Sequence, residues 1–211
     1  MINEHLLRSK PKQKICCFDV ETESLSLYYS RPWQVSWLVR DMFNEYEVQN
    51  RYIFWKDLNV SEGAKRVSHF NEVLYKEKAE DSRLVLAQLE QLLYDDNIIK
   101  IGHNILNFDT YQLTTWRREL GLKPDYSWLK QLRDTNAIEK AIQCQIVPDL
   151  DNILTWQYKC ISIRKKGLKT SLSTSCKRRG IEPDEALLHD AGYDVKINSQ
   201  LFYKQIHEIE I

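Results

Sequence analysis

The chain has 211 residues, 43% hydrophobic and 11% aromatic, which fits one compact domain with a sizeable core and excludes a disordered tail. Thirty Lys and Arg against thirty Asp and Glu give a formal net charge of +0, so any positive groove for a nucleic acid must come from local patterning. Five Cys without a CxxC pair argue against a fully paired disulfide framework, and no secretory or membrane-spanning run is visible. The expectation is a cytoplasmic protein with reduced thiols, acting on soluble material.

The apolar run from Ile15 to Phe18 reads as a buried strand that delivers Asp19, Glu21 and Glu23 at its C-terminal end. Trp33 to Val39 and Arg51 to Trp55 read as the next two strands, an antiparallel meander beside the first. Residues 56–80 are polar and irregular and predict short helices or a loop. From Ser82 to Tyr94, leucines at 84, 86, 89, 92 and 93 recur at near-helical spacing and predict a helix with one face on the sheet. Ile98 to Ile101 reads as a short strand feeding Gly102, and Phe108, Leu113 and Trp116 open another helix. Further helices are expected over Asp134 to Ile142, over Leu168 to Gly180 with Gly as the stop, and from about Asp190 to Ile206. This alternation predicts an α/β layered fold around a mixed sheet, as a single domain over 1–211.

Three fragments carry chemistry. In CCFDVETES, Asp19 and Glu21 lie two apart on a strand and project to one face, where a hard divalent cation is the natural partner for paired carboxylates. In GHNILNFDTYQL, Gly102 permits a sharp turn, Asn104 clamps it, and Asp109 enters the next helix among apolar residues, an unfavourable place for an unpaired carboxylate. In LLHDAGYD, His189 and Asp194 flank a loop-to-helix transition, and Asp190 reads as a helix cap. Plainer readings stand beside these: solvated loop acids, a helix N-terminal acid favoured by the macrodipole, a structural histidine. Taken together, four oxygen ligands and an imidazole suit Mg²⁺ or Mn²⁺ and are poor for structural zinc. The chemistry expected is phosphodiester hydrolysis with two Mg²⁺ ions, Mn²⁺ substituting. Asp19, Glu21, Asp109 and Asp194 act as ligands, with Asp19 bridging, and His189 receives the water proton.

These residues resemble the DEDDh group of the DnaQ-like 3'-to-5' exonucleases, within the ribonuclease H-like superfamily. FDVET carries Asp19 and Glu21 of the first family motif, GHNILNFD carries Asp109 of the second, and HDAGYD carries His189 and Asp194 of the third. RDT at 133–135 and LKTSLSTSCKRRGIE are secondary matches. The resemblance implies a ribonuclease H-like fold with a central five-stranded mixed sheet flanked by helices. It also implies release of nucleoside 5'-monophosphates from a 3' end. Departures are Glu23 and Ser24, where the first motif commonly has Thr-Gly, and one extra residue between Asn104 and Asp109 relative to the simplest proofreading pattern.

From Lys159 to Arg179 the basic residues Arg164, Lys165, Lys166, Lys169, Lys177 and Arg178 occur without an intervening acid, a candidate phosphate-contacting patch or a solvated charged face. Trp156 and Tyr158 read as stacking residues or as core or hairpin packing, and Leu25 and Leu27 as wedges against a terminal base. The expected substrate contacts are Leu25, Asn104, Lys165, Lys166 and Arg178. The expected partner is a single-stranded or frayed 3' end, DNA before RNA, with no membrane and no polymerase predicted. The alternatives are an exoribonuclease or oligoribonuclease and a catalytically inactive nucleic-acid-binding module.

Overall fold

A computed structural model describes residues 6–211. Its elements run β1 (Lys14–Thr22), β2 (Pro32–Arg40), β3 (Gln49–Phe54), α1 (Glu62–Val67), α2 (Glu72–Lys78), β4 (Ala79–Asp81), α3 (Ser82–Leu93), β5 (Ile98–Gly102), α4 (Asp109–Glu119), β6 (Leu132–Asp134), α5 (Thr135–Cys144), α6 (Ile153–Ile161), α7 (Leu172–Lys177) and α8 (Ala191–Gln205). They build one mixed sheet of order β4-β3-β2-β1-β5-β6. The expected meander is present, with β1, β2 and β3 pairing antiparallel; β5 then joins β1, and β6 joins β5, both parallel.

The sheet has six strands rather than the five expected. The addition is β4, three half-buried to exposed residues pairing parallel to the outer edge of β3, too short and polar to carry an alternating signal. Leu84, assigned above to the inner face of its helix, is exposed; Val85, Leu86, Leu89 and Leu93 are buried instead. The helix expected over 168–180 is confined to α7. Ser171 caps its start, accepting from Thr174 N at 3.3 Å, and Gly180 in the left-handed region ends the turn that follows.

Alternation along β1 sorts the layers. Phe18 meets the edge of Trp128 on one face, where α3 and α4 pack around Leu86, Leu93 and Leu113. On the opposite face Cys17, Asp19 and Glu21 look toward α8, whose Asn198 Nδ2 donates to Cys17 Sγ at 3.4 Å. α8 crosses β1, β2 and β5 and packs on α5. Among the described residues no helix is long and apolar enough to cross a membrane.

Candidate active site

The cleft exists because β5 stops early. β1 pairs with β5 only from Lys14 to Cys17, whereas its pairing with β2 continues to Thr22. Beyond Cys17 one edge of β1 lacks a strand neighbour, and the chain leaving β5 turns back to fill the gap. Gly102 makes that turn: a Cβ there would collide with the Ile105 side chain. Asn104 follows at φ +64°, and its N–H donates to Asp134 Oδ1 at 3.1 Å. α4 then begins at Asp109, whose Oδ1 accepts the N–H of Val20 at 3.1 Å, a backbone donor that no strand satisfies. The site thus lies outside the carboxyl ends of β1 and β5, where the sheet switches between antiparallel and parallel pairing.

Asp19 and Glu21 are half-buried on the α8 face, and their cross-strand partners Ser36 and Gln34 share that face. Both donate to Asn50 Oδ1, Gln34 at 2.7 Å, so a polar row runs from the acids into β3. α8 reaches the row through Gly192, which abuts Asn50. Asp190 caps α8 by accepting from Tyr193 N at 2.8 Å, as the plain reading expected. Asp194, one turn on, accepts the backbone N–H of His189 on Oδ2 at 3.2 Å, while its Oδ1 is buried without a hydrogen-bond partner. His189 itself is exposed, in the left-handed region at φ +67°.

The electrostatics bind these residues into one group. Burial, then the charges of Asp109, Glu21 and Asp194, lifts the Asp19 carboxyl well above its ordinary range. Glu21 is lifted likewise, by burial and then by Asp194 and Asp109. Burial pushes Asp109 up to about 7 against the N–H groups that hold it down, and pushes Asp194 up to about 7 against the His189 N–H. Like charges at this range disfavour one another unless a cation or a proton intervenes. Among the described residues no three His, Cys, Asp or Glu side chains form a ready-made metal cage, so the four acids share one field without converging on a point. An orphaned buried oxygen and all-oxygen donors under mutual repulsion fit a hard divalent cation such as Mg²⁺ or Mn²⁺.

Several supporting residues were not legible as such. Glu23, the departure in the first motif, is buried and paired with Arg31 through Nη2–Oε1 at 2.7 Å and Nε–Oε2 at 2.9 Å, closing the base of the loop over residues 23–31. That loop carries Leu25, which is 87% exposed beside the cleft. Asp134, fully buried, accepts from the backbone of Asn104, Leu106, Asn136 and Ala137 and so ties the β5–α4 turn to α5; the RDT match was its only sequence signal. His103 bridges Thr135 Oγ1 and Thr170 O, each at 2.9 Å, and burial pushes its pKa down to about 4, so it is a neutral brace. His69 Nε2 donates to the carbonyl of Leu188 at 3.1 Å, bracing the segment that carries His189 from 119 residues away, with no sequence signal at all.

The basic run divides. Arg178 and Arg179 both pair with Glu139, which is fully buried, and Arg179 also holds Glu208 at 2.6 Å. Lys177 pairs with Glu185. Arg178 therefore fastens the end of α7 to α5, with its side chain 39% exposed. Lys165 and Lys166 are exposed on the α6–α7 connection and form no ion pair among the described residues. Tyr158 and Trp156 lie on α6, not in a hairpin, with Trp156 in the core and Tyr158 partly exposed.

The mixed sheet and its flanking helices form an α/β fold that this chain shares with E. coli exonuclease I. Against that protein in complex with a dT13 oligonucleotide the TM-score is 0.71 at 19% identity, over 93% of this chain and 41% of the other. Against its zinc-bound complex with single-stranded DNA the TM-score is 0.69 at 19% identity, over 92% of this chain and 40% of the other. A product-bound exonuclease I structure gives 0.66 at 18% identity, over 92% and 45%. The chain thus spans about two fifths of the length of the exonuclease I chains in these complexes. No protein-family model and no curated protein matches it in sequence.

Proposed function

We propose that this chain is a metal-dependent 3'-5' exonuclease of the DEDDh type that removes nucleoside 5'-monophosphates from single-stranded DNA. The observation that carries the reading is the return of Asp109 to the open edge of β1, which joins it to Asp19, Glu21 and Asp194 in one shared field at the strand's end. The exonuclease I structures with oligonucleotides support a single-stranded partner.

Asp19, Glu21, Asp109 and Asp194 would hold two Mg²⁺ ions, with Mn²⁺ as a substitute. Bound there, the ions supply an acidified attacking water and charge stabilisation at the leaving oxygen. His189, whose ring makes no hydrogen bond to the protein among the described residues, takes the water proton at a ring nitrogen. Water oxygen bonds to the last phosphorus, the bond from that phosphorus to the preceding O3' breaks, and that O3' takes a proton from solvent as the shortened strand leaves with a new 3' hydroxyl. Leu25 packs on the terminal base, Asn104 sets the turn that presents Asp109, and Lys165 and Lys166 meet backbone phosphates.

The test compares wild type with Asp19→Ala on 3'-blocked and unblocked DNA and RNA strands of equal sequence, with Mg²⁺ and with chelator. Progressive shortening of unblocked DNA, absent with chelator or in the variant, is expected. Equal or faster shortening of RNA reassigns the substrate, and metal-independent binding without cleavage makes the chain a binding module.

A further inference from the structure

Exposed tyrosines gather around the outer side of α4, one from the helix itself and others from the loops packed against it. Tyr111, Thr114 and Arg118 follow one another at helical spacing, and Tyr111 is 45% exposed two residues after Asp109. At the far end of the face the Arg118 guanidinium lies 4.2 Å over the ring of Tyr28, which meets Tyr29 edge-on at 4.8 Å. At its middle, Thr114 Oγ1 donates to the hydroxyl of Tyr126 at 3.3 Å. Tyr158 of α6 stands close by: burial, with Tyr111, Asp134 and Tyr126 nearby, raises its hydroxyl pKa.

These rings are exposed but not loose. The loop that carries Tyr28 is stapled at its base by Glu23 and Arg31 and fastened to α4, with Gln112 Nε2 donating to Ser26 O at 3.1 Å and Arg118 to Tyr28 O. Exposed tyrosines with a guanidinium among them offer faces for bases and a charge for the backbone between them. The group starts at the helix whose first residue stands in the carboxylate cleft, and α4 rises about 16 Å over its length, the span of a few stacked nucleotides.

We propose that the surface formed by Tyr111 and Arg118 of α4 with Tyr28 and Tyr126 packed against the helix is a stacking platform for the single strand upstream of the scissile linkage, reading no sequence. This rests on the exonuclease reading for the direction of the strand, and its binding test does not depend on cleavage. Asp19→Ala protein, with and without the added changes Tyr28→Ala, Tyr111→Ala and Tyr126→Ala, is titrated against a 5'-labelled oligo-dT of roughly 15 nucleotides and against a trinucleotide, by fluorescence anisotropy. The triple change should weaken the long strand at least about 30-fold and leave the trinucleotide unchanged, while the matching Phe changes retain binding. Unaltered affinity for the long strand, or equal loss on both lengths, overturns the platform. So does a parent protein that binds the long strand no better than the short one. Length-dependent, tyrosine-dependent binding in a chain whose wild type cleaves nothing keeps the platform and removes the nuclease reading.

Discussion

Buried acids meet two fates in this protein. Glu139 is fully buried and answered by Arg178 and Arg179, with Gln205 Nε2 adding a donor at 3.1 Å. Asp19, Glu21, Asp109 and Asp194 pair with no Lys or Arg among the described residues, and each is lifted above the ordinary carboxylate range. The first arrangement stabilises the fold once it forms. The second disfavours the folded chain at neutral pH unless a cation or proton relieves it. Glu139 has its charge answered; these four carry theirs with only backbone N–H donors to Asp109 and Asp194.

Removing a lifted acid should abolish activity and leave the fold intact. Asp19→Ala should lower kcat at least about 10³-fold, roughly 4 kcal/mol of transition-state stabilisation, with an unchanged far-ultraviolet spectrum. Removing the paired acid should do the reverse. Glu139→Gln leaves Arg179, 3% exposed, without its full countercharge, and should cost about 3 kcal/mol. At this chain length that lowers Tm by roughly 6–12 °C, and a thermal melt that does not move would show that the pair contributes nothing net.

The comparison sharpens with pH. Asp194 keeps its proton up to about 7 when folded but only to the ordinary value of 3.8 when unfolded. Between those values the folded chain binds the extra proton, so its contribution to stability falls as pH rises through that window and is flat above it. Asp194→Asn retains an oxygen for the His189 N–H and loses the charge. In chelator it should therefore be more stable than wild type, by about 2 kcal/mol at pH 8 and by little at pH 4. Added Mg²⁺ should raise wild type more than the variant, closing the gap. A variant that melts lower at pH 8 would mean the acid is paired after all.

Much of this was legible because strands and long helices announce themselves by period. β1, β2, β3, β5, α3 and α8 fall where alternation or helical spacing put them. Asp19 and Glu21 were picked out by their spacing on a strand, Asp109 by its apolar surroundings, and Asp194 by the HDAGYD match. What failed were features set by distant partners. The basic run up to Arg179 contains no acid, yet Glu139 and Glu208 arrive from other elements to neutralise its last two arginines. α6 is a different case: Trp156, Gln157, Cys160 and Ile161 are buried at helical spacing, so its signal was present in ILTWQYKCI. β4 has no such signal, since three residues cannot show a period.

The smallest effect expected is at Gly192, where the packed and lifted regions touch. A Cβ there would lie 3.1 Å from Asn50 Nδ2 and 3.2 Å from Asp190 Oδ1. Asn50 is held by Gln34 and Ser36, and Asp190 by the N–H of Tyr193, so neither yields freely. Against that overpacking, alanine gains up to about 1 kcal/mol of helix propensity over glycine. The two terms nearly cancel, so Gly192→Ala should leave stability within about 1 kcal/mol of wild type. Activity has no such compensation: a shift in the first turn of α8 moves Asp194 and the His189 N–H it accepts, and misplacement of this kind should lower kcat on the order of 10-fold with KM little changed. A loss of stability without a loss of kcat would show that the first turn of α8 packs the sheet without positioning the acid.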